Sequence, residues 1–94
     1  MIVHRDDHLV AFRDIHPVAP IHILIIPTRH ISSLNEIGPD EQALLGELVH
    51  LAHWLAEKEE VAGRGYRLVI NTGTEAGQSV FHLHAHLLAG RRMA

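Results

Sequence analysis

The sequence predicts an α+β domain, with a mainly antiparallel five-stranded sheet and one long helix on one face. Three observations lead to this prediction. Short apolar segments of strand type occur in the first and last thirds of the chain, and a single helical stripe of apolar residues lies between them. The chain has only 94 residues, which is enough for one core. We therefore expect residues 1–94 to form a single domain.

The first third of the chain contains three predicted strands. Residues 2–5 and 8–13 are expected to form a hairpin that turns at the two aspartates between them, because aspartate favours tight turns. A loop over 14–20 contains two prolines. Residues 21–26 are almost uniformly apolar and β-branched, which is typical of a central strand that is buried on both faces.

One long helix and two further strands complete the predicted domain. Pro39 fits the first turn of a helix. Apolar residues then recur at helical spacing to about residue 60, and we expect Gly63 and Gly65 to stop the helix. Residues 66–71 and 80–88 are the predicted fourth and fifth strands.

The predicted fifth strand carries three histidines, each two residues from the next. Residues 82–88 read His-Leu-His-Ala-His-Leu-Leu, so His82, His84 and His86 would project from one face of a strand. The residues between them would pack under the helix. Imidazole can act as nucleophile, acid, base or metal ligand near neutral pH. A lone histidine is usually only a polar residue with a partner, but three on one face indicate a functional site.

The loop before this strand contains groups that can bind an anion. Residues 71–79 read Asn-Thr-Gly-Thr-Glu-Ala-Gly-Gln-Ser, and the glycines let backbone N–H groups converge. Gln78 and Ser79 are expected to add side-chain donors. Such a loop is often only a turn, but this one leads directly to the histidines. Donors for a phosphate beside a neutral imidazole predict phosphoryl or nucleotidyl transfer.

These segments resemble a known family. The run 82–88 is similar to the His-x-His-x-His-x-x signature, with x hydrophobic, of the histidine triad superfamily, and residues 77–90 look like its Hint branch. Residues 11–15, 20–27 and 65–71 also resemble segments of that branch. The resemblance implies a nucleotide-binding hydrolase that cleaves purine nucleoside phosphoramidates, of the adenosine 5′-phosphoramidate type, through a covalent nucleotidyl-histidine. No cofactor is expected.

The resemblance also implies roles for individual residues. His84 is the expected nucleophile, His86 contacts the phosphate or the scissile bond, and His82 orients the nucleophile. His22 faces the triad from the neighbouring strand, and Asp14 accepts the ribose hydroxyls. The other expected contacts lie at the phosphate or leaving group (Asn71, Gly77, Gln78, Ser79) and in the wall of the base pocket (Phe12, Ile15).

Two other classes of function stay open. Two histidines of the strand and one from a neighbouring strand could hold zinc. However, no acidic residue lies within the strand or immediately beside it to support such ligands, so no metal is expected. A non-catalytic nucleotide sensor or scaffold is the other alternative. It is suggested by the resemblance, because family members usually carry further segments before the first strand and after the triad, and this domain is short at both termini.

Composition excludes several further classes of protein. A formal net charge of −3 argues against general nucleic-acid binding. No apolar stretch approaches the length of a membrane span. The absence of cysteine excludes disulfides and thiolate metal sites. With 47% hydrophobic and 20% charged residues, we expect a soluble, cytoplasmic protein.

A small core also predicts self-association. A chain of this size buries a limited fraction of its surface, so a second copy is expected to complete the core. The strand at 66–71, the long helix and Trp54 could each contribute to a two-fold contact. The resemblance implies a homodimer in which the two sheets join edge to edge. The remaining histidines are expected in turns, at strand edges or on solvated faces, without a catalytic role (His4, His8, His16, His30, His50, His53).

Overall fold

A computed structural model describes residues 1–93 as a five-stranded sheet with one long helix. The strands are β1 (Ile2–Arg5), β2 (Leu9–Arg13), β3 (Ile21–Pro27), β4 (Tyr66–Val69) and β5 (Ala85–Ala89). Their order in the sheet is β1-β2-β3-β5-β4, and every neighbouring pair is antiparallel. The helix, α1, spans Gln42–Lys58. The predicted fold class is confirmed.

The first hairpin turns at the predicted aspartates. One carboxylate oxygen of Asp6 accepts the backbone N–H groups of His8 at 2.8 Å and Leu9 at 2.9 Å. The other oxygen pairs with the His4 ring at 2.7 Å. The hydrogen bond from His4, followed by those from the two backbone N–H groups, lowers the pKa of Asp6 to about 2. The side chain therefore stays ionised and holds the turn over the ordinary pH range.

The helix begins later than predicted and ends without a glycine. Residues 39–41 form a short 3₁₀ turn, and α1 follows from Gln42. A carboxylate oxygen of Glu41 accepts the N–H of Gly38 at 2.8 Å, which caps this entry. At the other end α1 stops at Lys58, and the left-handed residue that follows it is Glu60, with φ of 61°, which precedes both Gly63 and Gly65. No helix within residues 1–93 has the length and apolar character needed to cross a bilayer.

The core lies between α1 and one face of the sheet. Leu48, Leu51 and Leu55 are buried on the sheet-facing side of the helix. They belong to one apolar cluster with residues of three strands, β2, β3 and β5 (Leu9, Ala11, Ile23, Ile25, Ala85, Leu87). Burying apolar surface of this kind is the main source of stability for the domain. Because the helix covers only one face, the opposite face is left for polar side chains.

The fifth strand is shorter than predicted. Its ladder begins at Ala85, which pairs with Ile25, and residues 80–84 lie before it. Continuing the register would bring Leu83 opposite Pro27, which has no N–H to donate. The N–H of Leu83 donates instead to the carbonyl of Ile31 at 2.6 Å. His82 and His84 therefore lie outside the ladder, although the alternation of buried and half-buried residues continues through them.

Gly90, directly after β5, gives a test of this packing. It has φ of 98°, and a Cβ added there would lie 2.8 Å from the Cβ of Pro20. We expect Gly90→Ala to destabilise the protein by about 1–3 kcal/mol, because it adds both backbone strain and a steric clash. The measurement is the free energy of unfolding in urea at a fixed protein concentration.

Gly46 provides the matched control for the same chemical change. It lies inside α1, and an added Cβ would meet no atom within 4 Å. Gly46→Ala should therefore stabilise the protein by about 0.5–1 kcal/mol, since alanine favours the helix. Equal effects of the two substitutions would show that the contact between Gly90 and Pro20 is unimportant.

Candidate active site

The sheet brings the predicted catalytic histidines together on the face away from α1. His86 lies in β5, and His22 lies on the adjacent strand β3. His22 pairs with Leu88, which is two residues after His86. The ring of His86 has its centroid 5.2 Å from that of His22 and 5.1 Å from that of His84. The three rings therefore form one continuous group, with His86 in the middle.

His84 is held in a single tautomer by the main chain. Its Nδ1 lies 2.7 Å from the carbonyl oxygen of His82. A carbonyl oxygen can only accept a hydrogen bond, so Nδ1 carries the proton and Nε2 keeps its lone pair. The neutral ring of His84 therefore presents Nε2 as the free nitrogen, which is what a histidine nucleophile requires.

The ring of His82 is anchored in turn by β3 and by a residue without a predicted role. Its Nε2–H donates to the carbonyl of Pro27 at 3.0 Å, which leaves Nδ1 as an acceptor. The Nδ1–H of His30 donates to that nitrogen at 3.2 Å. His30 follows Pro27 by three residues, just after the strand that neighbours the triad. This position in the sequence could have indicated that His30 lies near the triad.

His22 and His86 form a directed pair of imidazoles. The backbone N–H of Val18 donates to Nδ1 of His22 at 3.2 Å, so the proton of His22 lies on Nε2. That proton is donated to Nδ1 of His86 at 2.9 Å. A neutral His86 must then carry its own proton on Nε2. The site thus presents a nitrogen lone pair on His84 beside an N–H donor on His86.

The surroundings of His86 favour its neutral form. Burial lowers the pKa of His86 below its ordinary value of 6.5, and the neighbouring His84 and His22 lower this pKa further. The carboxylate of Asp14 acts in the opposite direction. One oxygen of Asp14 lies 3.5 Å from Nε2 of His22, and the other accepts the N–H of His16 at 2.8 Å. Asp14, expected at the ribose, therefore also lies beside the histidine pair.

Asp14, His22 and His86 are a group within residues 1–93 that could hold a metal ion, with ligand atoms all within 4.8 Å of one another. Asp14, from the loop after β2, provides an acidic side chain beside the histidines, where none was expected. A metal-bound histidine normally donates its other N–H to the protein. Nδ1 of His22 accepts a hydrogen bond instead, so its Nε2 is protonated. A protonated Nε2 can donate a hydrogen bond but has no lone pair for a metal ion, so this arrangement favours a hydrogen-bonded pair of histidines over a metal site.

The loop over 71–79 is held by the side chain of Gln78, which is only 3% exposed. Its carbonyl oxygen accepts the N–H of Gly73 at 2.9 Å. Its amide group donates to the carbonyls of Ser32 at 2.8 Å and Val80 at 3.1 Å. The expected side-chain donor for phosphate is therefore already used within the protein. Gly77 and Ser79, on either side, are exposed, and Asn71 is half-buried after β4.

Of the two residues expected at the base pocket, Phe12 lies on the same face of the sheet as His86, and Ile15 lies in the loop that follows β2. Phe12 of β2 pairs with Leu24, which pairs with His86 on the other side, so the three residues form a row across the sheet. Neighbouring strands are about 4.8 Å apart, which puts Phe12 about 10 Å from His86. Ile15 is 83% exposed in the following loop.

Comparison with known proteins identifies the family. A family model described as the HIT domain matches residues 1–93. The chain belongs to the HIT family. It is 48% identical over 90 residues to the purine nucleoside phosphoramidase of Escherichia coli strain K12, covering 96% of this chain and 76% of that protein. It is 50% identical over 93 residues to an uncharacterised HIT-like protein of Synechococcus elongatus, covering 99% and 81%.

Solved structures of this family have the same fold. A HIT family hydrolase from Legionella pneumophila superposes with a TM-score of 0.97 at 45% identity, covering 99% of this chain and 83% of that one. A HIT family hydrolase from Clostridium thermocellum gives 0.96 at 44% identity, covering 100% and 82%. The predicted family and the predicted class of enzyme, a HIT-type hydrolase, are confirmed.

The contact between Asp14 and the histidine pair predicts a titration. His86 should titrate with a pKa below 6.5. Asp14→Asn should move this pKa lower still, because the carboxylate that raises it is removed while the oxygen that binds the His16 N–H is kept. NMR titration of the ring protons measures both values.

Glu57→Gln is the control for this titration, since it removes a carboxylate from the exposed side of α1, where Glu57 pairs with His53 at 3.7 Å. It should leave the His86 titration unchanged. A His86 pKa that rises in Asp14→Asn would contradict the assigned electrostatics.

Proposed function

We propose that this HIT-family enzyme hydrolyses purine nucleoside 5′-phosphoramidates through a covalent nucleotidyl-histidine at His84. The observation that carries the proposal is the bond between Nδ1–H of His84 and the carbonyl of His82, which leaves Nε2 as a free nucleophile. The similarity to a relative named as a purine nucleoside phosphoramidase supports the choice of substrate.

In the first step, Nε2 of His84 attacks the α-phosphorus, and the bond between phosphorus and the leaving nitrogen breaks. The leaving amine needs a proton, and the imidazolium form of His86 supplies it from Nε2, which leaves His86 as a neutral ring. The attack places a positive charge on the ring of His84, whose centroid lies 5.1 Å from that of His86. Like charges repel, so this charge favours the loss of the proton from His86 at the moment when the amine needs it.

In the second step, water attacks the phosphorus and displaces His84. The water gives one proton back to His86, and the electron pair of the broken bond returns to Nε2 of His84. Over the cycle one water is consumed, and a nucleoside monophosphate and an amine are released. Splitting one difficult displacement into two easier ones is the advantage of the covalent route.

The substrate is proposed to lie along the histidine face of the sheet. Exposed Ser79 and the backbone around Gly77 would donate to the phosphate, next to His84 and His86. Asn71 would contact the phosphate or the leaving group. Asp14 would accept the ribose hydroxyls, and the base would lie against Phe12 and Ile15. Aromatic and aliphatic walls of this kind bind purines by burying their apolar faces.

The nucleophile is tested with a fluorogenic adenosine phosphoramidate. We expect His84→Ala to lower kcat by at least about 10³-fold, because a covalent route has no substitute nucleophile. The wild-type protein, quenched during turnover, should show an added nucleotidyl group by intact-protein mass spectrometry, and the variant should not. The control is His53→Ala, which removes a histidine from the exposed side of α1 and should retain full activity.

Two outcomes would contradict the proposal. Turnover that is unchanged in His84→Ala would exclude this nucleophile. Binding of a nucleoside monophosphate by the wild type, without turnover of phosphoramidates or dinucleotides, would instead support a non-catalytic nucleotide sensor. Calorimetry on the same samples distinguishes these cases.

We also propose that the protein is a cytoplasmic homodimer with two separate active sites. Strand β4 is one edge of the sheet, and an unpaired edge can join a second copy. Val49 and Trp54 are exposed apolar residues on α1 that offer a second candidate contact. Trp54 lies against His4 of β1, at the opposite edge of the sheet from β4.

Light scattering at micromolar concentration tests the dimer. We expect about twice the monomer mass of 10.5 kDa. A monomer mass with full activity would show that the dimer is not required. Fractionation of cells that express the protein tests its location.

A further inference from the structure

Arg91, directly after β5, binds the main chain of a distant loop. Its Nη2 donates to the carbonyl of Val18 at 2.9 Å, and its Nη1 donates to the carbonyl of Arg92 at 3.0 Å. Val18 lies in the connection over 14–20 between β2 and β3, and its apolar side chain is exposed. The contact is therefore made to the backbone of Val18 and does not depend on its side chain.

Val18 also contacts the pair of His22 and His86, through the peptide group that contains its N–H. Its N–H donates to Nδ1 of His22 at 3.2 Å, and His22 donates to His86 at 2.9 Å. The main chain of Val18 thus connects the guanidinium of Arg91 with the ring of His22. A charged donor makes a stronger hydrogen bond than a neutral one, and the planar guanidinium can bind two carbonyls at once.

The packing around Gly90 brings Arg91 to this loop. The backbone of Gly90 approaches Pro20 so closely that a Cβ there would lie 2.8 Å from the proline Cβ. Residues 15–18 are exposed, so packing gives little restraint to the orientation of their peptide groups. The hydrogen bonds to the N–H and the carbonyl of Val18 supply that restraint.

We propose that Arg91 is a positioning residue that keeps the proton of His22 on Nε2 by fixing the main chain of Val18. This inference rests on the proposed function, in which His22 orients the proton donor His86. Without Arg91, the Val18 peptide can turn and Nδ1 of His22 loses its donor. The proton of His22 can then lie on Nδ1 instead. Nε2 of His22 and Nδ1 of His86 would both be acceptors, and the bond between them would be lost.

The tautomer of His22 is the direct readout. Nitrogen-15 NMR of the free protein distinguishes Nδ1–H from Nε2–H and requires no enzymatic activity. We expect Arg91→Met to raise the ratio of Nδ1–H to Nε2–H by on the order of fivefold, which is the effect of losing one net hydrogen bond. Arg91→Lys should recover part of the wild-type ratio, since an ammonium group can still donate to Val18. Arg92→Met, which keeps the main-chain carbonyl that Arg91 binds, should match the wild type.

Kinetics with the adenosine phosphoramidate give the second readout. In Arg91→Met, kcat should fall about tenfold because the proton donor is displaced, while KM should change by less than about twofold. Arg91→Lys should recover part of kcat, and Arg92→Met should have wild-type kinetics.

An unchanged tautomer of His22 in Arg91→Met would overturn the inference. So would an increase in KM with an unchanged kcat, which would show that Arg91 only orders the loop for binding. If the wild type has no turnover, the proposed function fails, but the NMR comparison still decides whether Arg91 controls His22. The Lys variant keeps the test valid if Arg91→Met does not fold.

Discussion

The main-chain carbonyl of His82 accepts a hydrogen bond from Nδ1–H of His84 at 2.7 Å. This hydrogen bond leaves Nε2 as the free nitrogen of His84, the proposed nucleophile. This carbonyl is available because His82 lies outside the β5 ladder, which begins at Ala85. If the strand continued through residues 82–84, its carbonyl groups would be directed toward neighbouring strands. The early end of the ladder therefore creates the acceptor on which the tautomer of His84 depends.

The other histidines are ordered by the same kind of constraint. Each neutral imidazole has one donor and one acceptor, so a single main-chain partner on one nitrogen determines the role of the other. The carbonyl of Pro27 does this for His82, and the N–H of Val18 does it for His22. His86 then receives its orientation from His22. Rigid backbone groups thus assign the proton positions before any substrate arrives, which is a form of preorganisation.

The fold and the identity of the histidine face could be predicted from local patterns. The period of two around His84 and the helical stripe each act within one element, so the sequence reports them directly. The end of the β5 ladder could not be predicted in this way, because its cause is the missing N–H of Pro27 on another strand. The main-chain partners of the histidines could not be predicted from the sequence either. Val18 acts through its peptide group, which any residue other than proline would supply, so its identity carries no signal.

The position of α1 on only one side of the sheet separates two kinds of substitution along the same strand. In β3 and β5, residues that face the helix contribute to stability, and the opposite face carries His22 and His86 of the proposed active site. Phe12 lies on the face away from the helix and Ile15 lies in an exposed loop, so substitutions there should have little effect on packing under the helix. Conversely, stabilising changes in the core can accumulate without altering the histidines. The fold can therefore acquire new substrates, and tolerate the destabilisation that this brings, by changing two largely independent sets of residues.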